Sequence, residues 1–224
     1  MCESKVQDVQ VVPSEDSLVA RQLRYYRARA AEYDVTSYGA VSGERASVPA
    51  IVDRLAISGD VVELACGTGI WTAELVRHAT TLTALDAAPE MLDLARRRVA
   101  TGVRFEQADL FDWTPTSSWD VVFFSAWLSH VPAARFAGFW AGVSAALRPG
   151  GRAIALDELP ARSFHEDQIH GEIAVRTLHD GTKHEIVKVF WEPAALVQCM
   201  AALGWRANVT PIEHDWFILE ARPS

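Results

Sequence analysis

Cysteine is scarce in this chain: Cys2, Cys66 and Cys199 lie far apart, with no Cys-x-x-Cys or Cys/His spacing. This pattern signals neither a disulfide framework nor a zinc site. Positive charge is also short, with 21 Lys and Arg against 29 Asp and Glu for a net charge of -8. That balance works against binding the phosphate backbone of nucleic acid or an anionic membrane surface. No apolar run reaches spanning length, and residues 1–12 lack both the basic start and the apolar middle of a secretory signal. The expectation is a cytoplasmic protein without nucleic-acid or membrane partners. Repeats and low-complexity segments are missing too. What remains is ordinary globular composition, 50% hydrophobic and 22% charged over 224 residues, enough for one α/β domain with a full core.

Residues 1–16 read as a loose leader and 17–224 as a single domain. Leu18, Leu23, Tyr26 and Ala30 recur at helical spacing among arginines, which predicts an amphipathic helix over 17–31. A loop is expected over 33–43 and a helix over 48–55. From Val61 strands and helices alternate: strand 61–65, helix 71–78, strand 81–85, helix 89–99, strands 103–107 and 120–125, helix 132–147. The breaker Arg148-Pro149-Gly150-Gly151 then precedes strand 153–156. Such alternation implies an α/β fold with a mostly parallel sheet covered by helices on both faces. Residues 158–192 interrupt it and read as an insertion carrying a hairpin around Asp180-Gly181. A helix from Pro193 to about Leu203 and a closing pair of strands, 206–210 and 216–221, supply an antiparallel C-terminal edge.

The segment Val61-Val62-Glu63-Leu64-Ala65-Cys66-Gly67-Thr68-Gly69-Ile70-Trp71 reads as a buried strand breaking into a glycine turn that opens a helix, a nucleotide-binding device. Asp86 ends the next strand, where an acidic side chain grips ribose hydroxyls. Two ligands suit such a turn. A dinucleotide fingerprint needs a third glycine where Thr72 stands, and Glu63 would repel a pyrophosphate while suiting a sulfonium cation. The residues favour the sulfonium ligand. An NAD-dependent oxidoreductase is the disfavoured rival, and a non-catalytic or repurposed cofactor-binding protein is a second.

At this point the chain resembles the class I S-adenosylmethionine-dependent methyltransferases, with a seven-stranded Rossmann-like sheet. The likeness rests on five stations in order: Glu63 to Gly69, Leu85-Asp86-Ala87-Ala88-Pro89-Glu90-Met91-Leu92, Gln107-Ala108-Asp109-Leu110, Asp120 to Val131, and Leu147 to Gly151. The resemblance implies S-adenosyl-L-methionine as cofactor and a small-molecule acceptor methylated on oxygen or nitrogen, by a monomer or homodimer. It assigns Glu63 and Gly67 to the methionine end and Gly69 to close backbone approach. Asp86 is assigned to the ribose, Ala87 and Met91 to the adenine face, Asp109 to the adenine amino group and Leu110 to the ring. Ala65, Trp71, Ala108 and Ser125 complete the expected cofactor contacts, and Tyr26 and Tyr33 resemble the N-terminal tyrosines that fold over the cofactor.

On the acceptor side, His130 follows the fourth strand and is the candidate base or acceptor-orienting group; its alternative is a structural histidine capping the next helix. Asp157 and Glu158 form a second candidate acid/base pair. His165, His170, His179 and His184 are expected to rim the acceptor pocket, and no metal site is signalled. The Asn/Asp-Pro-Pro-Tyr motif of amine- and glutamine-directed enzymes is replaced by Phe124-Ser125-Ala126-Trp127. With Phe164, Phe190 and Trp191 in the insertion, the reading favours an apolar or aromatic acceptor under a lid.

Overall fold

In the computed structural model, which describes residues 15–38, 44–166 and 169–224, the chain opens with α1 (Glu15–Arg29), a 3-10 turn at Ala30–Glu32, α2 (Tyr33–Tyr38) and α3 (Glu44–Arg54). There follow β1 (Asp60–Leu64), α4 (Thr72–Leu75), β2 (Thr81–Asp86), α5 (Pro89–Arg98), β3 (Val103–Gln107), β4 (Trp119–Ser125), α6 (Ala133–Ala146) and β5 (Leu147–Glu158). The last third supplies β6 (Ile169–His170), β7 (Ile173–Thr177), β8 (Lys183–Val187), α7 (Pro193–Ala202), β9 (Trp205–Ile212) and β10 (Trp216–Pro223).

Seven strands form one sheet in the order β3-β2-β1-β4-β5-β10-β9. β1 to β5 run parallel, and β10 is antiparallel to both its neighbours. The antiparallel strand therefore lies one place in from the edge, which β9 occupies. Strand order reverses between β1 and β4, so a crevice opens beyond their carboxyl ends, where open α/β sheets take ligands.

Period-two alternation splits the core across the sheet. Val62, Leu64, Val122 and Phe124 face α6 and α7, packing on Phe139, Trp140, Leu196 and Met200. Val61, Val121 and Phe123 point the other way, toward Val48, Val52, Trp71 and Leu75. Both faces are buried, as the near-continuous apolar reading of β1 requires.

Several local expectations need correction. Residues 33–38 are helical, not loop, because Thr36 bonds back to the Glu32 carbonyl (2.9 Å); residues 39–43 and most of the expected leader lie outside the described residues. α4 is only four residues long, since Arg77 and His78 already donate three residues back, to Glu74 and Leu75 (both 3.1 Å), in the tighter 3-10 pattern. The breaker at 148–151 is absorbed within β5: Trp119 pairs with Leu147 but Val121 with Arg152, so the intervening residues bulge out. A Cβ on Gly151 would stand 3.0 Å from the carbonyls of both Arg148 and Asp120. The insertion is a separate three-stranded sheet, β6-β7-β8, whose Ala174, Leu178 and Ile186 pack against Tyr25 of α1.

Candidate active site

The crevice at the β1/β4 switch point holds a cavity whose floor comes from the strand ends and whose roof comes from α1 and α2. Ala65 (φ 53°), just past β1, and Ala126 (φ 50°), just past β4, both line it in the left-handed region. Non-glycine residues held there mark stored strain at a site. Gly67 (φ 54°) also lines the cavity, and a Cβ built on it would meet nothing within 4 Å, leaving room at the backbone for a ligand.

Asp86 stands at the tip of β2. Its Oδ2 accepts the Gly67 N–H and its Oδ1 the Ala88 N–H, both at 2.8 Å. Burial pushes its carboxyl up to about 6, and those two N–H bonds restrain the rise. Both oxygens keep lone pairs for hydroxyl donors. Ala87, Met91, Leu110 and Phe111 supply apolar walls, with Asp109 beside them. Ser125 Oγ and Trp127 Nε1 are buried in the lining without a hydrogen-bond partner among the described residues. Buried polar atoms left so are costly, which points to a polar ligand as their partner. The paired hydroxyl sites at Asp86, the apolar slot and the orphaned groups fit the adenosyl and amino-acid parts of S-adenosylmethionine.

The roof is pinned at three places. Arg27 forks onto Glu90 of α5 (2.9–3.1 Å). Asp34 of α2 accepts the Thr68 hydroxyl (2.6 Å) and pairs with Arg98, tying the roof to the glycine turn. Tyr26 donates its hydroxyl to His130 Nε2 (2.8 Å). The imidazole tautomer follows from chemistry: Val187 offers a carbonyl to His130 Nδ1 at 2.6 Å, so Nδ1 carries the proton and Nε2 accepts from Tyr26. Burial, reinforced by Lys188 and Arg176, holds the imidazole pKa well below its usual value. Burial likewise lifts the Tyr26 phenol well above its own.

Three of the expected cofactor contacts, and Gly69, stand outside the cavity lining. Glu63 is buried behind the lining, accepting the Thr72 hydroxyl at 2.6 Å, and burial pushes its carboxyl up to about 8. Trp71 packs against Phe123 (5.6 Å between ring centroids) in the core between the sheet and α3. Ala108 gives its N–H to the Asp86 carbonyl (3.0 Å) and packs its side chain against the core. Gly69 faces α5, where a Cβ would sit 3.0 Å from both Cα and Cβ of Ala95. Tyr26, Tyr33, Ala65, Gly67, Asp86, Ala87, Met91, Asp109, Leu110, Ser125 and His130 do line the cavity, joined by Val19, Gln22 and Leu23 of α1, which no motif flagged.

A second cavity of about 440 Å³ meets the first at Tyr26, Tyr33, Ala126 and His130. Its lining contains Arg29, Arg162, Arg176 and Lys188 against Glu32, Glu158 and Glu166. Glu158 bonds Arg162 (3.0 Å) through one oxygen and Lys188 through the other. Glu166 takes both arms of Arg176, one at 3.0 Å. Glu32 accepts from the His179 ring at 2.8 Å. Arg29 has only neutral partners among the described residues, the hydroxyls of Thr36 (2.9 Å) and Ser37 (2.8 Å) and the rings of Tyr25 and Tyr33. The apolar lid is therefore replaced by a cationic chamber. Phe190 sits under Lys188, Trp191 packs on Phe136, and neither lines the chamber. His170, His179 and His184 do not line it either, and the side chains of Phe164 and His165 lie outside the described part. Asp157 is buried with its oxygens on the N–H groups of Ser129 and Glu158 (both 2.8 Å). A lone lysine inside Ile186-Val187-Lys188-Val189-Phe190 was the one sequence signal for this chamber.

Among the described residues no helix is long and apolar enough to cross a membrane. Residues 61–151 match the family model described as a methyltransferase domain. Among curated proteins, the chain is 41% identical over 93 residues to trans-aconitate 2-methyltransferase of Acidovorax sp. (strain JS42), a match covering 41% of this chain and 35% of that one. It is 30% identical over 160 residues to ubiquinone biosynthesis O-methyltransferase of Xanthomonas euvesicatoria pv. vesicatoria (strain 85-10), covering 67% and 64%. The chain thus spans about a third to just under two thirds of the length of these relatives. Among solved structures, the complex of DhpI with S-adenosyl-L-homocysteine (SAH) is 42% identical with a TM-score of 0.83, covering 94% of this chain and 99% of that one. The DhpI-SAM-HEP complex is 43% identical with a TM-score of 0.82, covering 92% and 98%. With the sheet order, the glycine turn, Asp86 and these likenesses together, the chain belongs to the class I S-adenosylmethionine-dependent methyltransferases.

Proposed function

We propose that this protein transfers a methyl group from S-adenosylmethionine to an ionised oxygen of a small anionic molecule. The observation that carries this reading is the cationic chamber: four cations face three carboxylates, and buried Arg29 has no acid partner among the described residues. An unpaired buried cation is costly, and an anionic acceptor offsets that cost. The relative named for trans-aconitate, an acid anion, supports the same class of acceptor.

When bound, the cofactor supplies an electrophilic methyl group on a good leaving group. Asp86 would hold the ribose hydroxyls, Asp109, Met91 and Leu110 the adenine, and Ser125 a polar group near the β4 end. In the chamber, Arg29, Arg176 and Lys188 bind and orient the acceptor, so that positioning carries the rate. Among the described residues lining the chamber, each candidate base is already engaged, Glu32 with the His179 ring. Glu158 and Glu166 are tied to cations, and His130 Nε2 already accepts from Tyr26. The nucleophile therefore arrives already ionised, as a carboxylate or another oxyacid does. His130 orients Tyr26 at the junction of the two cavities and is not asked to act as a base.

The test is incubation with S-adenosylmethionine and matched panels of small acids, phenols, alcohols and amines, read by mass spectrometry for methylated products and SAH. Esters from acids are expected; methylation confined to neutral alcohols or amines, or no turnover with any panel, overturns the reading. Arg29→Met should raise the acceptor KM about 10- to 100-fold, the worth of a hydrogen bond to a charged group, with SAH affinity unchanged.

A further inference from the structure

Gln22 is a buried polar side chain that the methyl-transfer scheme does not use. From α1 it reaches two segments far along the chain. Its Nε2 donates to the His130 carbonyl (3.2 Å), and its Oε1 accepts the Val187 N–H (2.9 Å). The Val187 carbonyl accepts the His130 Nδ1 proton (2.6 Å), and His130 Nε2 accepts the hydroxyl of Tyr26, one turn beyond Gln22 on the same helix. Four hydrogen bonds thus close a ring from α1 through β8 and the turn after β4 back to α1.

The ring straddles the two cavities. Gln22 lines the cofactor cavity and is absent from the chamber lining, whereas Lys188, next after Val187, lines only the chamber. Tyr26 and His130 line both. Fixing α1 over the cofactor side through Gln22 therefore fixes the peptide that places Lys188 and the carbonyl that sets the His130 tautomer. We propose that Gln22 is a positioning residue that couples the cofactor cavity to the acceptor chamber, so that filling the first orders the β8 end of the second. This rests on the reading of the larger cavity as the acceptor site. Coupling of this kind is reciprocal: whatever factor the cofactor product lends to an anion, the anion lends back.

The experiment uses the full chain and Gln22→Met, which keeps length and volume but removes both hydrogen bonds, with Gln22→Glu retaining an acceptor for the Val187 N–H. Hydrogen exchange over residues 183–189 is measured with and without SAH, alongside calorimetric titration of inorganic phosphate with and without SAH. In the wild type, SAH should slow exchange across β8 and tighten phosphate by about 10-fold, within the usual range of coupling between sites. Gln22→Met should lose the slowing and bring the phosphate factor to about 1, and Gln22→Glu should recover part of the slowing. Undiminished slowing in Gln22→Met overturns the proposal. If the exchange result holds but phosphate binds no form, the coupling stands and the anionic-acceptor reading falls.

Discussion

Asp86 binds ligand and carries a proton-dependent charge, and those two properties are linked. Its carboxyl sits at about 6 because burial disfavours the charged form. A ribose diol donates two hydrogen bonds, which a carboxylate accepts and a carboxylic acid accepts less well. Affinity for SAH should therefore be flat above pH 7 and fall as pH drops through 6, approaching tenfold per unit. Asp86→Asn should weaken binding about 10- to 100-fold at neutral pH, the worth of charge-assisted bonds, and abolish the acid limb. Calorimetry from pH 5 to 8 checks both; an acid limb that survives in Asp86→Asn assigns it to another group. The place of Asp86, Met91, Asp109 and Leu110 in the cavity lining was legible because each lies at or shortly after a strand end. The placement of Glu63 follows from strand alternation: it shares a face with Val61, toward α4, so its carboxylate accepts from Thr72 behind the cavity lining.

The packing of α5 on the glycine turn shows what the motif's second glycine does. Gly69 has φ 80°, and a Cβ there meets Ala95 Cα and Cβ at 3.0 Å. Alanine would be strained in backbone and would force α5 outward, carrying Met91 and the Arg98 anchor of α2 with it. Gly69→Ala should destabilise the fold by about 1–3 kcal/mol, the usual cost of strain or overpacking, and weaken SAH binding although residue 69 does not line the cavity. Adding Ala95→Gly should recover part of the stability, because it removes one of the two close contacts but not the other. Denaturant unfolding of the wild type and the two variants tests this; no recovery in the double variant would place the strain elsewhere. The alternating elements of residues 60–158 were readable from hydrophobic period and turn residues. The cationic chamber was not, because Arg29, Arg162, Arg176 and Lys188 come from α1, a 3-10 turn, β7 and the residue after β8, and only tertiary packing brings them together.

Across the molecule, a site built for a cationic ligand burdens the protein that lacks it. Glu63 and Asp86 are buried with carboxyls pushed up to about 8 and about 6, Asp157 is raised by burial, and His130 is held well below its usual value. The signs decide the pH window. A buried carboxyl with a raised pKa keeps its proton in the folded state while the unfolded chain has lost it, so stability falls as pH rises toward the folded value. The depressed imidazole acts oppositely, since only the unfolded chain takes up its proton below about 6.5. Between pH 6.5 and 8 the imidazole and Asp86 contribute little further change, and Glu63 dominates. Wild-type unfolding free energy should drop by about 1–2 kcal/mol across that interval, the integral of roughly one proton, and Glu63→Gln should flatten it. Because SAH carries no sulfonium while S-adenosylmethionine does, the two ligands should differ in the protons they displace from Asp86 in the lining and Glu63 behind it. Calorimetry at pH 7 in buffers of different ionisation enthalpy should find more protons released by S-adenosylmethionine, and the excess should disappear in Glu63→Gln. Equal release by both ligands would show that the buried carboxyl does not sense the cation, and the pH slope would then belong to the fold alone.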